Sequence, residues 1–143
     1  NDVNPYLVEE GFENSGWTGL TGYAQNELYS GSYSGMIDNP NTFVKNAEMD
    51  EWIDIDITEP TQYTFSVWVH SNGPSYRLSL KMKDADETGY ATVISDVSGS
   101  TIDAWIKIQK TITVSPDIKK ISLRVRNNGN SATTRNTVWF DNA

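Results

Sequence analysis

Two segments of the chain each carry basic side chains at three of four alternate positions, the spacing that brings side chains to one face of a β-strand. Apolar residues fill the positions between them, so the basic face is expected to point away from the core. Guanidinium and ammonium groups donate hydrogen bonds to hydroxyl and acid oxygens, and arginine can hold a carboxylate or sulfate with two parallel bonds. The pattern therefore predicts a surface that binds an acidic ligand. Its members are Arg77, Lys81 and Lys83 in the first segment and Lys120, Arg124 and Arg126 in the second.

The overall charge limits what this surface can bind. The chain has eleven Lys and Arg residues and nineteen Asp and Glu residues, which gives a formal net charge of −8. A field of that sign repels nucleic acid and anionic membranes, so we expect neither as a partner. The six clustered basic residues repel one another unless nearby acids or an anionic ligand offset their charge.

A second explanation for the basic face is a set of ion pairs within the protein. Asp54 and Asp56 alternate on the segment WIDIDI and would share the outer face if that strand lay beside the second basic segment. Cross-strand pairs with Arg124 and Arg126 would then contribute about 0.2–1 kcal/mol each. Two acids cannot neutralise six bases, so both explanations stay open. Trp52 opens the same segment, and a flat indole ring is a surface on which sugar rings stack.

Groups suited to catalysis are sparse. The chain has no cysteine, and His70 is its one histidine, so a thiol nucleophile is excluded and a Ser-His-acid triad depends on a single residue. Asp54 and Asp56 share a face, but basic neighbours favour ion pairs over the protonated carboxyl that a general acid needs. We therefore expect no catalysis. A small glycan-cleaving enzyme and a protein-binding adhesion sandwich are the less favoured alternatives.

The order of apolar and polar residues predicts an all-β protein. Short runs rich in Val, Ile, Thr, Tyr and Trp alternate with clusters of Gly, Asn, Ser, Asp and Pro, which is typical of a two-sheet sandwich. We expect a single domain over residues 1–143 and no membrane-spanning segment, since no apolar run approaches about 20 residues. The predicted strands are Val3–Val8, Leu28–Ile37, Trp52–Ile57, Gln62–His70, Tyr76–Lys83, Tyr90–Ser95, Trp105–Val114, Lys120–Arg126 and Thr137–Asp141.

Alternation within these strands also predicts the core. One face of each strand is apolar, and these faces are expected to pack against one another between the sheets. The predicted core residues are Ile53, Ile55, Ile57, Phe65, Val67, Val69, Leu78, Leu80, Met82, Ile121, Leu123 and Val125.

The stretch VEEGFENSGW, from Val8 to Trp17, places carboxylates and a glycine where the first strand should continue. Hard cations such as calcium take six to eight oxygen ligands from carboxylates and backbone carbonyls, so the acids could serve a metal site. The alternative is that Glu9, Glu10 and Glu13 are solvated turn residues.

Five motifs occur in an order that resembles the jelly-roll carbohydrate-binding modules of families 4, 16 and 22. The resemblance implies a β-sandwich jelly roll of eight to nine antiparallel strands that binds polysaccharide without cleaving it. It also implies a monomeric, secreted module that holds an attached polysaccharide-degrading enzyme on its substrate. The motifs are GFENSGW at Gly11–Trp17, SGSYSG at Ser30–Gly35, YTFSVWVH at Tyr63–His70, a lone Trp105 opening a strand, and VWFDN at Val138–Asn142.

The jelly-roll resemblance implies which strands share a sheet and where the glycan binds. One sheet would hold Trp52–Ile57, Lys120–Arg126, Tyr76–Lys83 and Tyr90–Ser95, and its outer face is the surface that takes a glycan in these families. The basic residues make an acidic polysaccharide the first expectation, with a neutral β-glucan, mannan or xylan as the alternative. The second sheet would hold Leu28–Ile37, Thr137–Asp141, Gln62–His70 and Trp105–Val114. The expected contact residues are Trp52, Arg77, Lys81, Tyr90, Arg124 and Arg126.

Modules of these families usually carry a structural calcium, and the resemblance transfers its ligands to four positions. These are the carbonyl of Gly11, the carboxylate of Glu13, the carbonyl of Ser32, and Asp141. The ion would tie both ends of the chain to one strand. Trp68 and Trp105 recur in the family motifs and are expected to cover a sheet rather than bind sugar.

Overall fold

Two antiparallel sheets make up the computed structural model, which describes residues 11–13, 15–86, 92–99, 103–129 and 135–142. The first sheet has the order β1-β4-β10-β7-β8, with β5 also paired to β10, and the second has the order β2-β3-β11-β6-β9. Over these ranges, no helix has the length and apolar character needed to cross a membrane. The strands are β1 Trp17–Thr18, β2 Gly22–Ala24, β3 Ser34–Asp38, β4 Lys45–Met49, β5 Ile53–Asp54, β6 Thr61–Ser71, β7 Tyr76–Asp84, β8 Thr92–Gly99, β9 Ile106–Val114, β10 Ile118–Asn127 and β11 Thr137–Asp141.

The predicted division of strands between the two sheets is confirmed. The segments at Trp52, Lys120 and Tyr76 meet in the first sheet as β5, β10 and β7, and β3, β11, β6 and β9 form the second. The predicted strand Val3–Val8 lies outside the described residues, and so does Tyr90, because the described part of β8 begins at Thr92.

The strand count is higher than predicted, because eleven strands are present in the described part and three of them were missed. β1 and β2 are two and three residues long, too short for a visible alternation. β4, with the sequence KNAEM, buries only Ala47 and Met49, so its apolar signal is weak.

The expected strand Trp52–Ile57 is much shorter, since only Ile53–Asp54 pair with β10. β4 occupies the same edge of β10 from Arg124 onward, and the edge is interrupted at Ser122. There the Ser122 hydroxyl donates a hydrogen bond to the Glu51 carbonyl at 2.9 Å. The chain leaves the sheet between β4 and β5. Trp52 therefore lies in the connection between these strands and not within a continuous strand.

The core lies between the two sheets and contains the predicted residues. Ile55, Phe65, Val67, Val69, Leu78, Leu80, Met82, Ile121, Leu123 and Val125 are buried, and Ile53 and Ile57 pack against them. The turn at Gly11–Glu13 joins this core through Phe12, which is fully buried and stacks on Trp17 with ring centroids 4.5 Å apart. Phe12 has a left-handed backbone, with φ of 57°. The turn therefore sends its aromatic residue inward and leaves Glu13 at the surface.

Candidate functional site

The outer face of the first sheet gathers the basic side chains, as their alternation predicts. In the β10–β7 ladder, Arg126 lies opposite Arg77, Arg124 opposite Ser79, and Ser122 opposite Lys81. Neighbouring strands are about 4.7–4.9 Å apart, so four of the expected contact residues, Arg77, Lys81, Arg124 and Arg126, occupy adjacent positions on one surface. We call this surface the basic face.

The acids that lie beside these basic residues differ from those expected. Asp54 lies opposite Lys120, with the carboxylate 3.8 Å from the ammonium, rather than beside Arg124 or Arg126. The expected pairs with those arginines are wrong because the interruption at Ser122 places β4, not β5, alongside them. β4 brings Glu48 opposite Arg124 and Asn46 opposite Arg126. Arg126 Nε donates to Asn46 Oδ1 at 2.8 Å.

Lys81 is buried within the basic face. It is only 6% exposed, and its Nζ lies 3.0 Å from Glu48 Oε1, which forms an ion pair across β10. Its ammonium also lies 4.7 Å from the centroid of the Trp52 ring, and that of Lys83 lies 4.2 Å from it. Trp52 therefore lies at one end of the basic face as a half-buried ring with two cation–π contacts.

Arg124 is the member of the basic face for which no hydrogen bond, ion pair or ring contact is found among the described residues. Its Nε is buried and has no hydrogen-bond partner there, although Glu48 lies on the adjacent strand. A buried donor without an acceptor costs about 1–3 kcal/mol. Arg77 Nε is buried without an acceptor in the same way, but Arg77 has an interaction elsewhere in the described part of the chain. The other four basic residues have a hydrogen bond, an ion pair or a ring contact.

Phe43 is a candidate contact that the sequence reasoning missed. It is 81% exposed, and its neighbour Val44 is 49% exposed. Their loop is fixed to the end of β10, because Asn39 Nδ2 donates to the carbonyls of Phe43, at 2.6 Å, and Asn127, at 3.1 Å. This end of the sheet carries Arg126 and lies away from Trp52. An aromatic residue inside the polar turn NPNTF was the available signal.

The outer face of the second sheet carries an aromatic cluster. Tyr29 stacks on Trp68 with centroids 4.0 Å apart and planes at 13°. Trp105 lies 6.1 Å from Tyr29 and donates its indole hydrogen to Glu27 Oε1 at 3.2 Å. His70 lies between Trp105 and Trp139, at 5.6 and 5.3 Å. These rings pack on one another, in agreement with the expected covering role of Trp68 and Trp105.

Two of the four proposed metal ligands, Glu13 and Asp141, hold the segment 29–33 at the edge of the sandwich where β11 ends. Glu13 accepts hydrogen bonds from the backbone N–H groups of Ser32, at 2.9 Å, and Tyr33, at 2.6 Å. Asp141 Oδ2 accepts from the N–H groups of Tyr29 and Ser30, both at 3.1 Å. The turn at Gly11–Glu13, the segment 29–33 and the final strand thus meet, as the resemblance implies.

The charges at this edge fit a cation. Asp141 is fully buried, and that burial raises the pKa of its carboxyl, with the negative charge of Glu13 raising the pKa further. A calcium ion beside the two carboxylates would offset both effects. Across the described residues, no three Asp, Glu, His or Cys side chains converge as a metal site, so the remaining ligands would have to be backbone oxygens such as those of Gly11 and Ser32.

Gly31 is required for this arrangement. Its φ is +71°, and a Cβ there would overlap Glu13 Oε1. We expect Gly31→Ala to destabilise the protein by more than about 1 kcal/mol through backbone strain and displacement of Glu13. Urea denaturation measures the loss, and Gly22→Ala, where no atom lies within 4 Å, is the control. A Gly31→Ala variant as stable as Gly22→Ala would contradict this account of the turn.

The two sheets and their strand order define a jelly-roll β-sandwich. The chain belongs to the carbohydrate binding domain family, whose model matches residues 4–133. It is therefore a non-catalytic carbohydrate-binding module, and the resemblance drawn from its motifs is confirmed. No curated protein sequence matches the chain.

Solved structures show the same fold at low sequence identity. A Clostridium thermocellum xylanase 10B fragment, with a family 22 module and a catalytic module in complex with xylohexaose, gives a TM-score of 0.67 at 21% identity. The match covers 97% of this chain and 28% of that one. The family 22 xylan-binding domain of Paenibacillus barcinonensis Xyn10C gives 0.65 at 12% identity, with 96% of each chain covered. A family 16 module gives 0.56 at 12%, covering 88% and 86%.

Proposed function

We propose that the basic face binds an extended polysaccharide that carries acid groups. Arg124 carries this proposal, because it lies in the middle of the face in the β7–β10 ladder and its Nε has no acceptor in the described part of the chain. A carboxylate or sulfate accepts the two parallel hydrogen bonds that arginine offers. Arg77 and Arg126 lie two residues further along the ladder, at the next outward-facing position, and would extend the contact.

Aromatic residues at the ends of the basic face would complete the site. Phe43, at 81% exposure, is the more open candidate for stacking against a sugar ring. Trp52 closes the other end, and two ammonium groups already lie over its ring. Tyr90 remains a proposed contact from the sequence, outside the described residues.

A neutral xylan is the second candidate ligand. Two family 22 structures of similar fold are described as xylan-binding domains, and the xylanase 10B fragment is a complex with xylohexaose. Partners within the face also reduce its free charge, since Lys81 is paired with Glu48 and Lys120 with Asp54. A xylan that carries uronic acid substituents combines the features of both candidate ligands.

Calcium is proposed as a structural ion at the cluster of Gly11, Glu13, Ser32 and Asp141. Its support is the pair of close carboxylates, one of them buried, at the meeting point of three chain segments. When bound, the ion would hold these segments together. It has no part in contacting the glycan.

We further propose that this module is monomeric, is secreted, and holds an attached polysaccharide-degrading enzyme on its substrate. The xylanase fragment of similar fold joins such a module to a catalytic one.

Affinity electrophoresis tests the choice of ligand. The protein is run in gels containing glucuronic acid-bearing xylan, unsubstituted xylan, sulfated galactan, β-glucan or mannan. We expect retardation in the acidic gels that weakens with added salt, because the Debye length falls from about 10 Å at 0.1 M to about 3 Å at 1 M. Equal, salt-independent retardation by unsubstituted xylan or another neutral polymer would favour the neutral alternative.

A further inference from the structure

The basic face sets an acid beside Arg124, and this bears on which acidic polysaccharides fit. Glu48 lies directly opposite Arg124 in the β4–β10 ladder. Side chains at such positions have Cβ atoms about 4.5–5.5 Å apart. The Glu48 side chain is 47% exposed, so a ligand that reaches Arg124 also meets this carboxylate.

Glu48 is fixed in place by a lysine that is itself closed to a ligand. Lys81 Nζ lies 3.0 Å from Glu48 Oε1, while the Lys81 side chain is 7% exposed. A buried ammonium needs a counter-charge, and Glu48 supplies it. Trp52 covers the same ammonium at 4.7 Å. Lys81 is thus a positioning residue for Glu48, and its effect on binding passes through that carboxylate.

We propose that Glu48 restricts this site to polysaccharides whose acid groups are widely spaced. The inference rests on the proposed function, because it concerns the same face and the same arginine. When an acid group binds Arg124, the adjoining part of the ligand lies over Glu48. That carboxylate accepts hydrogen bonds from sugar hydroxyls and repels a second acid group.

Two kinds of polymer are therefore distinguished. A neutral backbone with scattered uronic acid substituents presents one acid group to Arg124 and hydroxyls to Glu48. A polymer with an acid on every sugar brings an anion against Glu48 and loses part of the binding free energy that Arg124 contributes. The basic face selects sparse rather than dense negative charge.

Titration calorimetry with two polymers tests this selection. The probes are xylan bearing scattered glucuronic acid and polygalacturonate, which is acidic at every sugar. Wild-type protein is expected to bind the substituted xylan more tightly than polygalacturonate. Glu48→Gln is expected to reduce the ratio of these two affinities by about threefold to tenfold. Asp54→Asn removes a carboxylate from the far end of the same face, beside Lys120, and is expected to leave the preference unchanged.

A second variant separates selection from folding. Glu48→Gln leaves Lys81 buried without a counter-charge, so the double variant Glu48→Gln/Lys81→Met, which removes both charges, is measured with it. The double variant is expected to show the same narrowed preference. Equal wild-type affinity for the two polymers, or an unchanged preference in both Glu48 variants, overturns the selection by Glu48 and leaves the proposed function in place. No wild-type binding to either acidic polymer overturns both.

Discussion

Chelation of calcium is expected to lower the melting temperature of this protein by about 9 °C. The expectation follows from linkage, since calcium at about one hundred times its dissociation constant adds about 2.7 kcal/mol to the stability of the folded state. For a chain of 143 residues, 1 kcal/mol corresponds to about 3–4 °C. The physical source is the relief of repulsion between Glu13 and the buried Asp141, whose carboxyl pKa is raised by burial.

Differential scanning calorimetry with calcium and with excess chelator measures this shift. Asp141→Asn removes one charge from the cluster and is expected to abolish the response to calcium. Asp56→Asn, an exposed acid outside the cluster, is the control and should retain the full shift. The same melting temperature in calcium and in chelator, with no calcium found by metal analysis, would contradict the proposed calcium site.

Replacing Arg124 by glutamine is expected to weaken binding to acidic polysaccharide by about tenfold to a hundredfold, the range for a hydrogen bond to a charged group. It should also reduce the salt dependence of binding. The variant should fold with unchanged or higher stability, because it removes a buried donor that has no acceptor among the described groups.

Lys120→Gln is the matched control for this loss. It removes the same unit of charge from β10, but Lys120 is paired with Asp54 beyond Lys81 at the far end of the face. We expect calorimetry to show at most a small change in affinity for that variant. Equal losses from both substitutions would mean that general charge, rather than the position of Arg124, governs binding.

The division of strands between the sheets could be predicted because long strands such as β6, β7 and β10 alternate clearly between apolar and polar residues. Edge strands are harder to see. β4 buries only Ala47 and Met49, and its pairing depends on the interruption at Ser122, which no periodicity reveals. That interruption also explains why the ion pairs expected for Asp54 and Asp56 were wrong.

The candidate site was predictable in its side-chain types but not in its pairings. Alternation places Arg77, Lys81, Arg124 and Arg126 on one face, yet the sequence could not show that Lys81 is buried against Glu48. That contact runs diagonally across β10 and depends on strand order and side-chain reach. Phe43 was missed because it lies outside any alternating segment, in a loop fixed by the buried Asn39.

Indole chemical shifts test most directly whether the glycan lies on the basic face. The five tryptophans report on different surfaces: Trp52 lies on the basic face, Trp17 in the core, and Trp68, Trp105 and Trp139 on the opposite sheet. Titration of the ¹⁵N-labelled protein with an oligosaccharide of glucuronic acid-bearing xylan should shift the Trp52 indole and the side-chain Nε signals of Arg124 and Arg126. Shifts confined to Trp68, Trp105 and Trp139 would contradict the account and place the ligand on the second sheet.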